Sequence, residues 1–126
     1  MFRLIPVVAA LLVAAPVSAA EFRSFDQRAF TAAQAAGRPI LVEVHAPWCP
    51  ICAAQGRALQ KFTANGAYKD LIIFRIDFDS QKPVWSKFGA KSQSTLIAYR
   101  GRRETGRIAY DANEQKIGAL LASTKG

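Results

Sequence analysis

Ile40-Leu41-Val42-Glu43-Val44-His45, then Ala46-Pro47-Trp48, then Cys49-Pro50-Ile51-Cys52: this stretch decides how the chain folds. Its first six residues form a short run rich in β-branched side chains directly after Pro39, which reads as a buried central strand. Glu43 is the one misfit, an acid where the pattern asks for an apolar side chain. The residues after Cys52 suit a helix to about Thr63, which Asn65-Gly66 ends. Both cysteines of the chain therefore fall at one strand-to-helix junction.

Working outward, Phe22 to Phe25 reads as a first strand. Asp26 is placed to cap a helix running to about Ala36, with Phe25 and Phe30 as a hydrophobic staple and Gly37 as the stop. Leu71 to Phe78 is a second buried strand, and Gln81 to Phe88 a short helix with Pro83 in its first turn. Thr95–Tyr99 and Glu104–Tyr110 read as a hairpin across Gly101. Asp111 to about Ser123 closes the chain as a helix, with Asp111 and Glu114 spaced as a capping box. The order β-α-β-α-β-α-β-β-α, without repeat or linker, predicts a single α/β domain: a mixed sheet, early strands parallel, an antiparallel hairpin at one edge, and helices on both faces.

Residues 1–20 are of a different kind. Arg3 precedes an apolar run from Leu4 to Val17, and Val17-Ser18-Ala19 or Ser18-Ala19-Ala20 fits a small-residue cleavage site. We read residues 1–20 as a secretory signal peptide and residues 21–126 as the domain. The opposing reading, a retained anchor, suffers from a run shorter than the ~20 apolar residues a spanning helix needs and from the breaks at Pro6 and Pro16. No stable membrane insertion is expected after cleavage. The formal net charge of +8 is spread along the chain, densest at Arg100, Arg102 and Arg103, and lacks an RNA-binding aromatic motif. A solvated basic face accounts for it better than nucleic-acid binding.

A disulfide closing so short a loop constrains the unfolded chain little, so a reactive pair is the stronger reading of Cys49 and Cys52. Pro50 suits the first helical position, making Cys49 the cap residue, with its sulfur at the positive end of the helix. That placement favours the thiolate. Cys52, three residues on, shares the same face and can resolve a mixed disulfide on Cys49. Structural zinc is disfavoured, since it wants four ligands and the only other soft one is His45, the sole histidine.

The stretch Val42 to Cys52, together with Phe88-Gly89-Ala90-Lys91 and Thr95 to Gly101, resembles the thioredoxin family, and the match covers essentially residues 21–126 in element order. The resemblance implies a thioredoxin-like fold and protein disulfide exchange, with Cys49 as nucleophile, Cys52 as resolving thiol and no cofactor. It implies that Glu43 occupies the place of the family's buried acid and moves the Cys52 proton, with Arg75 beside it; an edge-solvated Glu43 is the alternative. Trp48, Pro50, Gln93 and Ser94 are expected to line the substrate groove, although a core role for Trp48 fits as well. His45 is expected to pack at the strand end. Two positions depart from the family pattern. Ser94 stands where a cis-proline usually shapes the groove, and a non-proline cis bond costs ~3–4 kcal/mol. With either isomer the hydroxyl could approach the sulfurs, and loss of this proline is similar to changes that open the cysteines to metal. Arg57 replaces a helix-kinking proline and predicts a straighter helix.

These readings lead to a periplasmic, monomeric enzyme acting on exported protein thiols and disulfides. Ile51 cannot hydrogen-bond a thiolate, which favours a reductase fed by a membrane thiol donor over an oxidase. The competing expectation is a carrier of copper or an iron–sulfur cluster on the same two thiolates.

Overall fold

The strand predicted at the centre is central. In the computed structural model, which describes residues 2, 4–13 and 19–126, the elements run β1 (Glu21–Ser24), α1 (Gln27–Ala35), β2 (Pro39–His45), α2 (Pro50–Thr63), β3 (Ile72–Asp77), α3 (Lys82–Lys87), β4 (Thr95–Arg100), β5 (Arg103–Ala109) and α4 (Glu114–Ser123). A 3-10 turn at Gly66–Tyr68 links α2 to β3. The sheet order is β1-β3-β2-β4-β5. β1 and β2 both run parallel to β3, whereas β4 runs antiparallel to β2 and to β5.

Alternation along β2 assigns its side chains to two faces. Ile40, Val42 and Val44 point to the side covered by α1 and α3, where they meet Phe30, Phe74 and Trp85. Leu41 points to the other side, against Leu59 of α2 and Ile117, Leu120 and Leu121 of α4. Glu43 and His45 share that second face. Gly118 lets α4 approach α2, since a Cβ there would meet the Phe62 ring at 2.9 Å.

Local signals explain most element ends. Asp26 caps α1 by accepting from Ala29 N at 3.1 Å, and the Phe25 and Phe30 rings lie 5.7 Å apart. The hairpin turns at Gly101, whose φ of +58° is open to glycine and whose missing Cβ would press on Gly37 Cα at 3.2 Å. α2 continues unbroken through Arg57.

One expectation fails. The last helix begins at Glu114, and its cap is Asn113, which accepts from Lys116 N at 3.0 Å. Asp111 instead accepts from Asn113 N and from Lys116 Nζ, which keeps its carboxyl below the ordinary range. The chain has just passed Tyr110, whose φ of +57° turns it before the helix can start.

Among the described residues no helix is long and apolar enough to cross a membrane. Residues 4–13 form neither helix nor strand, and Leu4, Val7 and Leu12 stand fully exposed. Arg3 and residues 14–18 lie outside the described residues, so the expected cleavage stretches do so in part.

Candidate active site

Cys49 caps α2. Its backbone is extended (φ −94°, ψ 113°), its sulfur accepts from Cys52 N at 3.2 Å, and its carbonyl accepts from Ala53 N at 3.1 Å. Pro50 occupies the first turn, where its missing N–H is no loss, and stays exposed. Both cysteines are free thiols, 5% and 2% exposed.

Ser94 faces them from the loop leading into β4. No described peptide bond is cis, and Ser94 takes a left-handed backbone with φ +62°. That conformation costs a serine of order 1–2 kcal/mol, and three hydrogen bonds hold it there. Ser94 N donates to Val44 O at 2.9 Å, while its carbonyl accepts from Tyr110 N at 3.1 Å and from Gln55 Nε2 at 2.9 Å. The result places Ser94 Oγ 3.1 Å from both Cys49 Sγ and Cys52 Sγ. A hydroxyl carries one proton, so it can donate to only one sulfur at a time while accepting from the other.

This geometry separates the two thiols. Burial pushes the Cys49 thiol up, but hydrogen bonds from Cys52, Ser94 and the backbone N–H groups of Cys52 and Ile51 outweigh it, and the net displacement is downward. Burial and the neighbouring Cys49 push Cys52 above its ordinary value, against weaker pulls from Ser94 and the Ala46 backbone. One sulfur is thus readied as a thiolate and its partner kept as a thiol.

The remaining expected site residues fall into two groups. Trp48 lies beside the pair and is no core residue: it is 57% exposed, and its Nε1 donates to both Asp79 carboxylate oxygens at 3.0 and 3.1 Å. Gln93 is half-buried next to Ser94. Glu43 lies apart from this surface, beneath α2. It is 2% exposed and accepts from Arg75 Nε at 2.7 Å, so the expected ion pair is present. His45 ends β2, half-buried, and lines a cleft of about 370 Å³ together with Cys52, Arg57, Gln60 and Arg75. Glu43 opens instead into an adjoining cleft of about 250 Å³ that shares Arg75 and Gln60.

Gln55 was not singled out from sequence. It is 2% exposed, and its Nε2 binds both Ser94 O and Asp111 O, joining α2 to the two loops beside the cysteines. Its position, three residues after Cys52 on one helix face, is the only signal the sequence offers. Among the described residues no group of three or more His, Cys, Asp or Glu side chains could hold a metal ion.

The Thioredoxin family model matches residues 21–123. The chain belongs to the thioredoxin family. Among solved structures it is similar to Trxlp from Edwardsiella tarda EIB202, with 39% identity, 80% of this chain and 98% of that one covered, and a TM-score of 0.76. It is 31% identical over 84 residues to Thioredoxin-2 of Saccharomyces cerevisiae, covering 67% of this chain and 78% of that protein. A 58-residue match at 41% identity joins it to the Thiol:disulfide interchange protein DsbE of Yersinia pestis, of which it covers 31%. This family member is a thioredoxin-like thiol–disulfide oxidoreductase with its Cys-x-x-Cys pair at residues 49 to 52.

Proposed function

We propose that the protein is exported through its N-terminal leader and acts in the periplasm as a monomeric reductase of disulfides in exported proteins. The observation that carries the chemistry is the asymmetry of the two thiols around Ser94 Oγ. Cys49 attacks one sulfur of a substrate disulfide as the thiolate, forming a mixed disulfide as the substrate S–S bond breaks and its other sulfur leaves as a thiolate. Cys52 then attacks Cys49 Sγ, forming the Cys49–Cys52 disulfide and releasing the substrate thiolate. The substrate gains two electrons and the pair loses them, and a membrane thiol donor restores the dithiol. Trp48, Pro50, Gln93 and Ser94 border the groove that receives the substrate.

The direction rests on the groups around the thiolate. Its donors are a thiol, a hydroxyl and backbone N–H groups; no cation at residue 51 assists them, since Ile51 is apolar and 37% exposed. A thiolate with these donors alone supports the reductase reading. The apolar, exposed residues 4–13 support the leader.

Producing the full chain with Cys52→Ser in a Gram-negative host tests this reading. Non-reducing gels should then show mixed disulfides with exported proteins, and the recovered protein should begin at Ala20 or Glu21. Absence of any mixed disulfide, with metal bound to the purified wild type, would favour the carrier of copper or an iron–sulfur cluster instead.

A further inference from the structure

Resolution of the mixed disulfide needs a base, because burial pushes the Cys52 thiol up and keeps it protonated. Ser94 cannot serve: a hydroxyl relays a proton but does not hold one as a base at neutral pH. Two side chains on the α2 face of β2 remain, Glu43 and His45.

The structure separates them. Glu43 is engaged by Arg75 at 2.7 Å and opens into the cleft that Cys52 does not line. The guanidinium takes one of the two carboxylate oxygens, Oε1. His45 shares the Cys52 cleft, and its Nδ1 is buried without any hydrogen-bond partner. A buried polar atom left alone in a folded protein asks for a reason. The cleft, about 370 Å³, is lined by both His45 and Cys52 and is large enough to hold water.

We infer that His45 accepts the Cys52 proton during resolution of the mixed disulfide. This rests on the disulfide-exchange reading above and deepens it. The proton leaves Cys52 Sγ for the imidazole through water. The Cys52 thiolate attacks Cys49 Sγ as the bond from Cys49 to the substrate sulfur breaks. The imidazolium then returns the proton to solvent or to the departing thiolate. The charged and titratable groups facing His45 are Glu43 on its own strand, Arg75 and Asp77 from β3, and Cys52 and Arg57 from α2; β1 contributes only Phe22. Burial and Arg75 hold the imidazole below its ordinary value, against Glu43 and Asp77, so it is neutral and able to accept at neutral pH.

The test is a single-turnover reaction of the reduced full chain with 5,5′-dithiobis(2-nitrobenzoate). Attack by Cys49 releases one coloured thiolate, and resolution by Cys52 releases the second. In the wild type, the second phase should slow as pH falls through the pKa of the single histidine, read independently by its NMR titration in protein whose Cys49 is blocked. His45→Gln should slow the second phase on the order of 10²-fold at pH 7, make it rise with hydroxide, and be rescued by imidazole, with the first phase unmoved. Glu43→Gln should keep the acid limb and displace it to lower pH, because a carboxylate that raises the His45 pKa is gone. A His45→Gln profile superimposable on wild type, a limb lost in Glu43→Gln alone, or an NMR pKa that misses the limb would each overturn the inference. A wild type with no second phase would instead overturn the exchange reading itself.

Discussion

The two faces of the sheet are built on different principles. Beneath α1 and α3 the filling is aromatic: Phe25, Phe30, Phe74, Phe88 and Tyr99 interlock with centroids 5.2 to 6.4 Å apart, mostly edge to face. Beneath α2 the aliphatic core gives way, toward the N-terminus of that helix, to Glu43, Arg75, His45 and Gln55. The first face has nothing to titrate except Tyr99, which burial pushes up and away from neutrality. The second holds His45, whose imidazole pKa is kept below its ordinary value by burial and Arg75. Stability and chemistry are thereby kept on opposite sides of one strand, and β2 carries both through simple alternation.

Substitutions should break this division in a graded way. Cys49→Ser should abolish disulfide exchange, assayed by insulin reduction, while leaving thermal unfolding nearly unchanged. Phe74→Ala, on the aromatic face and fully buried, should do the opposite. It should cost ~3–5 kcal/mol in denaturant unfolding and leave the exchange rate of the folded fraction intact. A large loss of specific activity in that variant would show that the faces are coupled.

Arg75→Met should cost about 1–3 kcal/mol, because it leaves the buried Glu43 without its partner. Adding Glu43→Leu should recover much of that loss, since well-packed apolar replacements of buried pairs are often neutral. Chemical denaturation of the single and double variants reads both.

Ser94→Ala should raise the Cys49 pKa and lower the reduction potential by roughly 20–30 mV, the equivalent of about 1–1.5 kcal/mol of lost hydrogen bonding to the thiolate. Thiol trapping across pH checks the first and glutathione equilibration the second. An unchanged potential would mean that the hydroxyl donates to Cys52 rather than to Cys49.

The smallest expected effect is on the pH dependence of stability. The His45 pKa is lowered from 6.5 in the folded state, so the unfolded chain binds the proton first. Stability from the neutral, half-buried ring is therefore full above about 6.5 and is lost as pH falls from there through the folded value. Thermal unfolding of His45→Phe should lack this slope between pH 7 and pH 5.

The element order, the central strand and the cysteine cap were legible in the sequence because each rests on local patterns: β-branched runs, a proline at the helix start, glycine stops. Glu43–Arg75 was legible only through the family resemblance, and the structure puts residues 43 and 75 in register on parallel β2 and β3. Asp111-x-x-Glu114 misled, because a capping box is a local pattern and the left-handed Tyr110 had already redirected the chain. Gln55 and the shared cleft of His45 and Cys52 depend on how α2 lies across the sheet, a tertiary placement that no window of sequence contains. Ser94 was visible as a departure; its left-handed, trans geometry and equal reach to both sulfurs were not.

The most direct test of the account is the reduction potential of the Cys49–Cys52 pair, measured on residues 21–126 equilibrated in glutathione buffers with thiol trapping. Reversible cycling is expected at a potential well below about −200 mV, as a reductase in this fold requires. A potential near −120 mV, the range of strong oxidants, would contradict the proposed direction, and a pair that does not cycle would contradict the exchange mechanism altogether.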